Sequence, residues 1–231
     1  MPTNASAPTL SGDAAIPLYL ARPKGVASAA IIVIPEIFGV NEGIANKCDQ
    51  WAEQGYLAAA PDIFWRFAPG EEYNPDIPEE FQKSLENMGK YNADQGVRDL
   101  EAVIHFLKGE GASKVGAVGF CLGGRMAYMM ATRTDVSASV GYYGVMIDQM
   151  LGESHAIANP LMLHIPTGDH FVGPEAQKAM HDGLGPNRHV TLHDYEGLDH
   201  GFAAEMGDRR DEAGAQLADQ RTRDFFAEHL A

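Results

Sequence analysis

The chain has 231 residues, 45% of them hydrophobic and 21% charged, a length and balance that suit one globular domain with a sizeable core. With 32 acidic against 17 basic residues the formal charge is -15, which argues against holding nucleic acid or an anionic membrane surface through a general positive field. No apolar run approaches transmembrane length, and two cysteines, Cys48 and Cys121, are too few for a disulfide framework. Residues 1–8 show neither the basic stretch nor the apolar core of a secretory signal, so the expectation is a cytoplasmic protein. It is read as one domain, 1–231, whose residues 1–12 form a poorly structured lead-in.

In chain order, residues 16–23 alternate and contain proline, which predicts an edge strand. The β-branched run 29–34 predicts a central parallel strand, followed by the loop Pro35-Glu36-Ile37-Phe38-Gly39-Val40-Asn41 at its carboxyl end, the edge where open α/β sheets bind ligands. Residues 44–54 have helical spacing, with Cys48 on the apolar side, and stop at Gly55; residues 56–60 form a short strand. A long aromatic, proline-bearing loop spans 64–78. Helical periodicity resumes at Glu79 and carries the stripe Val97, Leu100, Val103, Ile104 and Leu107. Strands follow at 114–119, 138–144, 161–165 and 189–195, with helices at 125–131, 177–184 and 213–230. This alternation predicts an α/β class with a mostly parallel central sheet and helices on both faces.

Between the strand ending at Gly119 and the helix opening at Arg125 stands Gly119-Phe120-Cys121-Leu122-Gly123, the spacing of a nucleophile elbow with cysteine in the serine position. Glycines flank such a nucleophile because strand and helix approach too closely for a side chain there. The helix N-terminus favours a thiolate. A glycine-bounded turn can equally enclose an inert buried cysteine, so the partners decide.

A nucleophile needs a base within reach and a group that orients the base. Downstream of Cys121, in the order nucleophile, acid, histidine, two strand ends supply them: Asp169 in Thr167-Gly168-Asp169-His170, and His200 in Asp199-His200-Gly201-Phe202. His164 falls inside a strand and His105, His181 and His229 on helices; His170 and His193 are weaker rivals. Asp199 adjoins His200, but neighbouring side chains seldom face one another, which favours Asp169 as the orienter. Oxyanion donors are expected from the backbone N–H of Leu122, after the nucleophile, and of Ile37, in the loop after the central strand, where Glu36 reaches the same space. No His or Cys pair has ligand spacing on one element, so no metal is expected.

Taken together, 35–41, Pro61-Asp62-Ile63-Phe64-Trp65-Arg66, the elbow, Gly141-Tyr142-Tyr143-Gly144, Gly168-Asp169-His170-Phe171-Val172 and 199–202 resemble the motif series of the dienelactone hydrolases (carboxymethylenebutenolidases). The resemblance implies an α/β-hydrolase fold, no cofactor, and a triad of Cys121, His200 and Asp169. It further implies that Glu36 takes the thiol proton once substrate displaces it, and that Tyr142 lines the pocket. The family's two carboxylate-binding arginines are not matched: those stretches read Glu80-Phe81-Gln82-Lys83 and Gly201-Phe202-Ala203-Ala204-Glu205, leaving Lys83, Arg66, Arg209 or Arg210 as replacements of different geometry. The expected pocket residues are Phe38, Trp65, Phe81, Tyr142 and Phe171. The function implied is cysteine-dependent hydrolysis of a small-molecule lactone or ester through a thioester acyl-enzyme, by a monomer or homodimer. Its rivals are a carboxylesterase or thioesterase acting on a neutral, more apolar substrate, and a ligand-binding module without turnover.

Overall fold

The residues of Ala29–Ile34 are apolar and all buried, so this strand, β3, lies mid-sheet with both faces covered. The computed structural model describes residues 3–231. Around β3 runs an eight-stranded sheet in the order β1-β2-β4-β3-β5-β6-β7-β8, formed by Ala5–Pro8, Ala15–Ala21, Leu57–Pro61, β3, Lys114–Phe120, Ala138–Tyr142, Leu161–Pro166 and Val190–Tyr195. From β4 to β8 every pairing is parallel; β1 and β2 join antiparallel. Among the described residues the α-helices are α1 (Glu42–Glu53), α2 (Pro78–Lys90), α3 (Ala93–Gly109), α4 (Leu122–Arg133), α5 (Pro174–Leu184) and α6 (Glu212–His229). Among the described residues no helix is long and apolar enough to cross a membrane.

Local chemistry sets the helix starts. The side chains of Asn41, Asn92 and Asp211 each accept a backbone N–H three residues on, from Ile44, Gln95 and Gly214, and so cap α1, α3 and α6. The stripe Val97, Leu100, Val103, Ile104 and Leu107 is buried in α3, and Cys48 is buried in α1 with burial pushing its thiol well up. Both cysteines are free thiols.

Three expectations change, and one element is added. Residues 5–8 form β1 rather than a loose lead-in, because Ala5–Pro8 pairs with Ala15–Leu18 and the Asn4 amide bonds both the N–H and the carbonyl of Leu20. With β1 outside it, β2 is no edge; its Pro17, lacking an N–H, still accepts one from Asp62. The helical stretch after Glu79 is two helices, separated where Tyr91 and Asn92 turn extended so that Asn92 can cap α3. Ile147–Ala156 forms a 3-10 segment, bonded to α4 through the Tyr128 hydroxyl and the Met150 carbonyl.

Candidate active site

At the carboxyl end of β5 the chain turns through Cys121, whose φ of 55° and ψ of -114° lie outside the ordinary regions for a residue with a side chain. Its N–H donates to the Tyr142 carbonyl at 3.1 Å and its carbonyl accepts from Arg125 at 3.1 Å, so β6 and the first turn of α4 hold the strained residue. The flanking glycines leave no alternative: a Cβ on Gly119 would overlap the Gly123 carbonyl, and one on Gly123 would overlap the Ile34 carbonyl and stand 2.7 Å from that of Pro35. Cys121 thus occupies the N-cap of α4, with Leu122 the first helical residue, whose N–H precedes the intrahelical ladder.

Two loops converge on this turn. After β7, Asp169 is buried, and its Oδ1 accepts the N–H groups of Phe171 and Val172 at 2.8 and 3.0 Å, which fixes the carboxylate. After β8, His200 is buried, and its Nδ1 lies 2.9 and 3.2 Å from the Asp169 oxygens. A carboxylate acceptor makes Nδ1 the protonated nitrogen and turns Nε2 the other way. Nε2 is buried without a hydrogen-bond partner among the described residues, and the charge it feels most is that of the Cys121 sulfur. Burial pulls this imidazole down, but the Cys121 sulfur and the carboxylate of Asp169 outweigh it, so that it titrates at about 10.

A cavity of about 190 Å³ opens on Cys121 and His200. Ile37, Phe38, Phe81, Leu85, Met88, Val145 and Phe171 make its wall apolar, and the Arg209 side chain also lines it. Arg209 grips Glu36 with two parallel bonds of 3.2 Å, and its guanidinium rests 5.2 Å over the Phe38 ring. The Glu36 carboxylate is therefore engaged by a guanidinium, with only 9% of its side chain exposed.

The structure gathers Cys121, Asp169, His200, Glu36, Ile37, Phe38, Phe81 and Phe171 at one place, but two expected pocket residues lie elsewhere. Trp65 donates its indole N–H to Asp99 of α3 and lies under Arg66, which draws the ring away from the cavity. Tyr142 directs its hydroxyl to Asp219 and Thr222 of α6 on the other face of the sheet. Tyr143, just past the end of β6, has a φ of 39° in the left-handed region, and it is its ring that stands 4.9 Å from that of His200. The sequence signal is the Tyr-Tyr pair, but the backbone turn that sends the second ring to His200 has no spacing to read. Of the four cations that the sequence offers as replacements, Arg209 is the one whose side chain lines the cavity. Lys83, Arg66 and Arg210 do not line the cavity.

Among the described residues, the group whose donor atoms lie near enough to hold a metal ion is Asp169, His170 and Asp199, within 4.8 Å of one another. Oxygens of both carboxylates there are already engaged by N–H donors.

The model of the dienelactone hydrolase family matches residues 16–230. A protein of Azospirillum brasilense named "Putative carboxymethylenebutenolidase" is 37% identical over 222 residues, spanning 94% of this chain and 95% of that one. The carboxymethylenebutenolidase of Pseudomonas putida is 33% identical over 207 residues, 89% and 88% of the two chains. A crystal structure from Klebsiella pneumoniae, "Putative Dienelactone Hydrolase", superposes with a TM-score of 0.84 at 27% identity over 96% of this chain and 97% of that one. Its sheet, its elbow and these matches along nearly its whole length place the chain in the dienelactone hydrolase family, the hydrolases of ester and lactone bonds.

Proposed function

We propose that Cys121 is the nucleophile of a lactone or ester hydrolase that works through a thioester acyl-enzyme. The observation that carries this reading is the buried Asp169–His200 pair, aimed at a cysteine held in a strained turn on the wall of a small cavity. The Arg209–Glu36 pair supplies the trigger. A substrate group that draws on the Arg209 guanidinium frees the Glu36 carboxylate, which takes the thiol proton. The thiolate attacks the acyl carbonyl, and the N–H groups of Ile37 and Leu122 receive the charge that develops on its oxygen. His200, protonated while it faces a thiolate and Asp169, gives its proton to the departing oxygen as the C–O bond breaks.

The thioester sulfur carries no charge, so one of the influences raising the imidazole is gone and burial leaves it neutral. It then takes a proton from water, whose oxygen attacks the thioester. Collapse expels the thiolate, and Glu36 returns its proton to the sulfur.

The apolar wall favours a compact, largely apolar acyl group, and the Arg209 guanidinium favours one anionic or strongly polar substituent on it. Cys121→Ala is expected to lower hydrolysis of both a dienelactone and a small neutral ester by about a thousandfold or more. Arg209→Met is expected to depress turnover of the anionic lactone more than that of the neutral ester. Full activity of Cys121→Ala would overturn the assignment; equal losses on the two substrates in Arg209→Met would overturn the part given to Arg209.

A further inference from the structure

Asp199 and His170 belong to neither the triad nor the cavity wall, yet they form a second Asp–His pair beside the first. The Asp199 Oδ1 accepts three bonds: from the His170 N–H at 3.0 Å, the His170 Nδ1 at 2.7 Å and the His200 N–H at 2.6 Å. The first two come from the loop after β7, which carries Asp169; the third comes from the loop after β8, which carries His200.

Lower down, the same loops are joined by Gly168 N–H to the Leu198 carbonyl at 2.9 Å and by Gly197 N–H to the Thr167 hydroxyl at 2.8 Å. The Asp199 oxygen closes this ladder at the level of the catalytic groups. We propose that Asp199 is a positioning residue, a strut that fixes the spacing of Asp169 and His200, with His170 as its anchor.

The physical need is specific. His200 must hold Nε2 toward the Cys121 sulfur, and its Asp169 partner is on a separate loop, so any relative slip of the loops misdirects the base. Small misplacements of a reacting group cost large factors in rate. His170 extends the same restraint to the cavity: its ring lies 4.0 Å from that of Phe171, which stands 4.8 Å from the His200 ring and lines the site. The strut acts through geometry rather than charge, because the Asp199 side chain is 57% exposed and water screens its field. An amide oxygen in the same place would accept the same N–H groups.

The inference rests on the proposed triad, and the test separates the two. Wild type, Cys121→Ala, Asp199→Ala, Asp199→Asn, His170→Phe and His170→Asn are assayed for kcat and KM on one ester, with the thermal midpoint of each recorded. Asp199→Ala is expected to lower kcat about tenfold or more with KM little changed. Asp199→Asn is expected to restore most of the loss, since its oxygen keeps the three bonds. His170→Phe preserves the ring against Phe171 but deletes Nδ1, and should lose part of kcat; His170→Asn returns a donor near that position and should recover it. An unchanged kcat in Asp199→Ala, with Cys121→Ala inactive, would overturn the strut while leaving the triad. A loss in Asp199→Asn equal to that in Asp199→Ala would also overturn it, by showing that the charge acts. If Asp199→Ala fails to fold, the His170 pair decides: equal kcat in His170→Phe and wild type rejects the anchor. Activity in Cys121→Ala would overturn the triad itself, and the strut with it.

Discussion

His200 feels three influences at once, and their balance can be measured. Burial disfavours its charged form, while the sulfur of Cys121 and the Asp169 carboxylate favour it and prevail. An imidazole near 6.5 in an unfolded chain and about 10 in the folded one binds a proton in the fold that the unfolded chain has shed between those values. That contribution to stability is complete below pH 6.5 and is gone above pH 10. The urea midpoint of the wild type is therefore expected to fall as pH rises from 6.5 toward 10, and to fall less in His200→Gln; parallel slopes in the two proteins would contradict the account. Residue type and order in the chain offered Cys121, Asp169 and His200 as candidates, which the fold brings together. They could not show that Glu36 is held by Arg209, because 173 residues separate the two.

The elbow is the element on which the site depends, and its glycines are there for backbone clearance. Alanine at 123 would press a methyl group on the carbonyl oxygens of Ile34 and Pro35, and no flexible side chain is there to yield. Gly123→Ala is expected to destabilise by about 4 kcal/mol or more, the exceptional end of single substitutions. Gly89 is a useful contrast: it sits inside α2 with open space where its Cβ would be, so Gly89→Ala should stabilise by about 0.5 to 1 kcal/mol. Urea unfolding of both variants checks the pair. The helical periodicity that resumes at Glu79 could not mark the break between α2 and α3, because the cap at Asn92 works only once the chain there has turned extended.

Across the whole molecule, a buried polar chain on the face away from the cavity ties α6 to the sheet. The Thr222 hydroxyl meets the Tyr142 hydroxyl at 2.6 Å and His164 Nε2 at 3.0 Å, and His164 Nδ1 meets the Tyr195 hydroxyl at 2.7 Å. Burial keeps His164 uncharged, so its one donor and one acceptor are both satisfied by hydroxyls. Thr222→Val would strand a buried ring nitrogen and is expected to cost about 1 to 3 kcal/mol in urea unfolding, with ester hydrolysis unchanged. A loss of activity larger than the loss of fold would instead couple this network to the site.

By itself the sequence determined the strand–helix alternation, the central place of β3 and the elbow, since hydrophobic period and paired glycines are local signals that burial on both faces rewards. It also offered Cys121, Asp169 and His200 as candidates, because each stands in a turn or loop that follows a recognisable strand. Only the tertiary structure decided which tyrosine of the 142–143 pair meets His200, that Trp65 turns to α3, that residues 5–8 extend the sheet, and that Arg209 rather than Lys83, Arg66 or Arg210 reaches the cavity. Those outcomes depend on strand register, on which face a side chain leaves, and on contacts between residues far apart in the chain, none of which has a period or a spacing to read.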